Sequence, residues 1–110
     1  MPEIMTSLTR KLLPAPKVTV DYPQQNEKIA SAQYAVRVGA PEDVKSVEVA
    51  VDQGSWLPCR KAVGYWWYDW SGYGKGEHEI VARIETQEGK RISSEPREFF
   101  VVQPLAPASN

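Results

Sequence analysis

Between Val44 and Lys90, short stretches in which apolar and polar residues alternate are separated by turn-forming residues. An extended backbone sends successive side chains to opposite faces, so this period marks half-buried antiparallel strands. Val47, Val49 and Val51 alternate with Glu48, Ala50 and Asp52 and lead into Asp52-Gln53-Gly54-Ser55-Trp56. An aromatic run follows, Tyr65-Trp66-Trp67-Tyr68-Asp69-Trp70, then a glycine turn, then the alternating residues 78–84. All four tryptophans of the chain fall inside this stretch. Both the core and any adhesive surface must therefore be built from it. Read in one direction, it forms one continuous meander.

The remaining segments carry the same signature. Residues 17–22 alternate up to Pro23 and give a first strand, and residues 24–28 form a polar turn. Tyr34, Val36 and Val38 alternate with Ala35 and Arg37 in a second strand, ended by Gly39-Ala40-Pro41-Glu42-Asp43. Further strands are predicted at about 46–52, 56–60 (short), 65–70 and 77–85. Gln87-Glu88-Gly89-Lys90 makes a hairpin loop, its glycine suited to positive φ. A last strand covers about 98–102, after a weaker stretch broken by Pro96. About seven short strands, with no helices between them, specify an all-β, two-sheet antiparallel sandwich. Residues 1–16 read as a lead-in, where 6–13 could make one or two helical turns before Pro14 and Pro16 stop them. Residues 17–103 form the sandwich domain and 104–110 a loose tail.

A chain of 110 residues suits one domain. Its net charge of −1 comes from 14 acids and 13 bases spread along its length, unlike the concentrated positive field that nucleic acid demands. No apolar run approaches the roughly 20 residues needed to span a membrane. Cys59 is the single cysteine, so an intrachain disulfide is impossible and stability rests on packing. The N-terminus lacks a basic region followed by an apolar one. That and the free thiol point to the cytoplasm, unless the chain is a piece of a longer exported protein.

The residues Ser46-Val47-Glu48-Val49-Ala50-Val51-Asp52-Gln53-Gly54-Ser55-Trp56, then 66–70, then Gly76-Glu77-His78-Glu79-Ile80-Val81-Ala82-Arg83 form a recognisable series. The series resembles the immunoglobulin-like (E-set) dimerisation domain at the C-terminal end of molybdopterin oxidoreductases of the sulfite oxidase type. Bacterial Ig-like modules of extracellular proteins are similar in spacing. In that family a valine-rich strand ends in Asp-Gly-Gly-x-x-Trp, an aromatic strand follows, and Gly-x-His-x-Ile-x-x-Arg-Ala opens the next. Here Gln53 stands for the first glycine of the turn, one residue fewer precedes Trp56, and Ile84 stands where alanine is usual. The resemblance covers about half the chain. It implies an immunoglobulin-like (E-set/fibronectin III-like) sandwich used for assembly or docking. The molybdenum-binding domain has no counterpart, so the resemblance implies neither redox activity nor a cofactor.

If residues 65–70 are extended, Trp66, Tyr68 and Trp70 share the core face, while Tyr65, Trp67 and Asp69 share the solvated one. Tyr65 and Trp67, joined by Tyr73, then offer flat amphipathic surface, with Arg83 or Glu85 on the neighbouring strand as a polar rim. Such a patch suits a protein partner or a homodimer. The same three aromatics could stack on carbohydrate, or simply cover a sheet face without any ligand. The glycines of 72–76 join two strands and open no helix, so they make a turn and not a phosphate cradle. One cysteine and one histidine fall short of a zinc ligand set. Cys59 and His78 match no nucleophile–base spacing, and they read as a small apolar strand residue and a residue in register with Ile80 and Ala82. Glu77, Glu79 and Glu85 line one strand face and not the two walls of a cleft, as glycoside hydrolysis would require. The expectation is a non-catalytic module without metal or cofactor.

Overall fold

A computed structural model describes residues 17–102; the lead-in helical turns and the tail expected from the sequence lie outside these described residues. Ten strands follow one another, with no helix among the described residues: β1 (Thr19–Tyr22), β2 (Lys28–Ile29), β3 (Gln33–Gly39), β4 (Ser46–Val51), β5 (Leu57–Pro58), β6 (Arg60–Ala62), β7 (Tyr65–Ser71), β8 (Gly76–Glu85), β9 (Arg91–Ser93) and β10 (Arg97–Val101). They form two facing sheets. The first has the order β1-β3-β7-β6; the second has the order β2-β10-β8-β4-β5, with β9 also paired to β8. This is the two-sheet sandwich the alternation specifies.

Between the sheets lies a core drawn from alternate residues. Val36 and Val38 of β3, Val47 and Val49 of β4, Ile80, Ala82 and Ile84 of β8, and Phe99 of β10 are all buried. Trp70 joins them from β7. Each is two residues from the next on its strand, so one face of each sheet is apolar and the other solvated. At about 1.5–3 kcal/mol per buried aliphatic or Phe side chain, this set dominates the favourable side of folding.

Three departures from the sequence reading have simple causes. The stretch from Val44 to Lys90 is not one meander, because the chain changes sheets twice within it. The first change splits the single strand expected at 56–60. Cys59 still donates its N–H to the Val47 carbonyl of the second sheet, while Arg60 already pairs with Trp67 of the first. The second change is the glycine-bearing connection from β7 to β8. Next, residues 24–28 are not wholly a turn: Lys28 and Ile29 pair in parallel with Phe100 and Val101. Finally, the weak stretch before Pro96 supplies β9. Proline has no N–H to extend the ladder, so β9 and β10 are two pieces of one path beside β8. Ser94 bridges the gap, donating its N–H to the Ala82 carbonyl and accepting the Ala82 N–H on Oγ.

Candidate functional site

β7 is extended, and its side chains divide as the alternation requires. Trp70 is buried, Trp66 and Tyr68 pack against the core, and Tyr65 and Asp69 are exposed on the other face with Trp67 half-buried beside them. The ring of Trp67 is pinned, because Nε1–H donates to the Ala62 carbonyl across the β6–β7 hairpin at 2.9 Å. Tyr65 meets Trp67 edge to face, with centroids 6.3 Å apart and planes at 77°.

Antiparallel register adds residues from neighbouring strands. Arg37 of β3 and Arg60 of β6 both pair with Trp67, one on each side. The Arg37 guanidinium lies 4.1 Å from the Tyr65 ring centroid and 4.7 Å from that of Tyr22, and its Nε donates to Asp21 at 3.3 Å. Cation–π contacts of this kind are worth about 0.5–1 kcal/mol at exposed sites. Arg60 donates through Nε and an Nη to the two carboxylate oxygens of Asp69, each at 3.2 Å. That hydrogen bond, then the carboxylate's charge, pushes the Arg60 pKa up. The outer face of the four-stranded sheet thus holds an aromatic centre, Tyr22, Tyr65 and Trp67, interleaved with two arginines and two aspartates.

Of the five residues singled out in the sequence, the structure brings only Tyr65 and Trp67 together. Tyr73 stacks on Trp70 with centroids 3.9 Å apart, and its hydroxyl donates to the Ser31 carbonyl at 2.7 Å. It packs against the core from the β7–β8 connection and is no part of the outer patch. Arg83 and Glu85 cannot rim that patch, because β8 is in the other sheet and the neighbours of β7 are β3 and β6. Arg83 instead donates to Glu48 at 2.6 Å and lies 4.1 Å over Trp56, while Glu85 pairs in register with Ser46 and Arg91. The sequence placed Asp69 on this face; the residues missed were Asp21, Tyr22, Arg37 and Arg60. Arg37 carried a signal, a cation between two core valines, but its match with Trp67 depends on strand order.

Cys59 and His78 have separate partners. Burial, and then the charge of Glu48, push the Cys59 thiol up to about 12. His78 directs Nδ1 at the Asp52 carboxylate and Nε2 at the Gly74 carbonyl, each at 2.7 Å. Beside it Asp52, Glu77, Glu79, Glu98, Phe99 and Phe100 line a shallow pocket of about 220 Å³. Among the described residues no group of three or more His, Cys, Asp or Glu is arranged to hold a metal ion. No helix among them is long and apolar enough to cross a membrane.

No family model matches this chain. No curated protein matches it either. Solved structures do. The fibronectin(III)-like modules of Clostridium thermocellum CbhA superpose with a TM-score of 0.66 at 20% identity, covering 77% of this chain and 94% of theirs. A modular endo-β-1,4-mannanase from Cellulomonas fimi matches with a TM-score of 0.63 at 28% identity over 80% of this chain, which spans only 19% of that protein. CopC from Methylosinus trichosporium OB3b matches with a TM-score of 0.63 at 13% identity, over 86% of this chain and all of its own. The fold is therefore a β-sandwich of the immunoglobulin-like, fibronectin III type. None of these three is a molybdopterin oxidoreductase, so the finer resemblance drawn from the sequence is not carried by them.

Proposed function

We propose that this chain is a non-catalytic sandwich module that makes protein–protein contacts through the outer face of its four-stranded sheet, in the first instance with a second copy of itself. The observation that carries this reading is the composition of that face. Tyr22, Tyr65, Trp67 and Arg37 form one connected cluster, and tryptophan, tyrosine and arginine are the residues that dominate binding energy at protein interfaces. The charges around them balance, Arg37 and Arg60 against Asp21 and Asp69. A two-fold pairing sets the same patch against itself, and a patch holding both signs can be complementary to its own copy. Dimerisation is also what the resemblance to the oxidoreductase domain implies.

Carbohydrate binding is the weaker reading. The mannanase likeness favours it, since that protein is a mannan-degrading enzyme. A stacking platform, however, needs coplanar ring faces open to solvent. Here Tyr65 and Trp67 stand at 77° and the Arg37 guanidinium lies over Tyr65. Catalysis finds little purchase, because burial keeps the thiol of Cys59 protonated and both nitrogens of His78 are engaged.

Sedimentation of the full chain, alone and with Tyr65→Ala and Trp67→Ala combined, separates the readings. Self-association of the wild type that the double variant loses supports the contact face. A monomer retained on insoluble polysaccharide, with retention abolished in the same variant, replaces it with sugar binding.

A further inference from the structure

We propose that His78 is a proton-operated latch, which as an imidazolium ties the β7–β8 connection to the β4–β5 turn and breaks that tie when it loses its proton. The argument begins with hydrogen-bond chemistry. The Gly74 carbonyl can only accept, so Nε2 must carry a hydrogen to bond it; the Asp52 carboxylate can only accept, so Nδ1 must carry one too. Both bonds exist together only in the doubly protonated ring. A neutral ring aims a lone pair at one of two acceptors 2.7 Å away, and one tie becomes a repulsion.

The surroundings add to this preference. Asp52 on the β4–β5 turn, Glu77 and Glu79 flanking His78 on its own strand, and Glu98 on β10 line the adjoining pocket, so the titratable groups there are acids. Lys75, beside Gly74 in the connection, is the one cation of that loop. Phe99 stacks on the imidazole at 5.8 Å and Trp70 meets it edge to face at 5.1 Å. Aromatic faces at this range attract a cation. Burial opposes the charge, but the Gly74 and Asp52 hydrogen bonds and the Asp52 charge outweigh it, and the pKa of His78 is raised.

What the latch holds is also conditional. Asp52 and Gln53 both sit at positive φ, 53° and 62°, without being glycine. Such backbone persists only where its surroundings fix it. Asp52 is fixed by His78, by the Glu79 N–H on Oδ1 at 2.9 Å, and by its own N–H on the Glu79 carbonyl at 2.8 Å. The other partner, Gly74, lies between Gly72 and Gly76, both at positive φ, in a connection whose other anchor is Tyr73, stacked on Trp70 and bonded to the Ser31 carbonyl. The latch therefore adds a tie between two segments that each hold residues at positive φ.

His78 is the only histidine, so its ring resonances can be followed in the full chain without ambiguity. The experiment is an NMR pH titration of the ring, read together with the backbone amides of Gly54, Gly74, Lys75 and Glu79, in the wild type, Asp52→Asn and His78→Gln. The expected result is a ring midpoint above 6.5 in the wild type, with those amides shifting at the same midpoint. Protection of the Gly54 and Glu79 amides should fall about tenfold across it, as for the loss of one charge-assisted hydrogen bond. Asp52→Asn should lower the midpoint, and His78→Gln should leave the amides without that transition. A ring that titrates at or below 6.5 in the wild type, or amides indifferent to its titration, would overturn the latch.

Discussion

Trp67 and Trp70 are three residues apart and so lie on opposite faces of one strand, which makes the in-or-out division of β7 measurable. Trp70 is enclosed by Tyr73, His78 and Phe99. Trp70→Ala should therefore destabilise the fold by about 3–5 kcal/mol. Trp67→Ala loses one hydrogen bond and part of its burial, and should cost about 1 kcal/mol. Urea denaturation of both variants checks the pair, and equal losses would contradict the assignment. The inward set was legible because strand period alone decides which residues share a face. Tyr73 was misassigned because it lies in a connection, where no period applies and its stack on Trp70 depends on the path of the loop. At His78 the sign of the pH effect follows from a raised pKa. Its stabilising contribution is fully present below 6.5 and is lost as pH rises through the folded-state value. Thermal melts should accordingly show a transition near the ring midpoint that His78→Gln lacks.

The β6–β7 hairpin is the element that holds the proposed contact face, and it contains a local conflict. Its two-residue turn is Val63-Gly64, with Ala62 paired to Tyr65. Both central residues have positive φ, 53° and 80°, as a type I′ turn demands. Gly64 meets this freely; Val63 is β-branched, 88% exposed, and has no packing to compensate. Val63→Asn, a residue that tolerates this conformation, should stabilise the protein by about 1 kcal/mol, measured by the shift in denaturation midpoint at constant slope. The hairpin could not be placed from the sequence, because Val63 hides the turn signal that Asn-Gly would have given. For the same reason the stretch at 56–60 was read as one strand. The change of sheet between Cys59 and Arg60 takes a single step and leaves no run of turn residues to mark it.

For the whole molecule, alternation and turns determined an all-β sandwich, and the likeness to the fibronectin(III)-like modules agrees. Strand order was out of reach. It depends on which strands pair across large sequence separations, as when Arg37 meets Trp67, and local pattern contains no information about that choice. Since Arg83 and Glu85 were placed beside β7 on sequence adjacency alone, strand order decided the fate of the expected rim. What emerges is one face with a connected aromatic and arginine cluster and balanced charge, and an end of the sandwich tied by a histidine. Sedimentation equilibrium of the full chain from micromolar to millimolar concentration, beside the Tyr65→Ala and Trp67→Ala double variant, tests the contact face most directly. The expected result is a wild-type mass that climbs toward the dimer while the folded variant stays monomeric; two proteins that remain monomers throughout would contradict it.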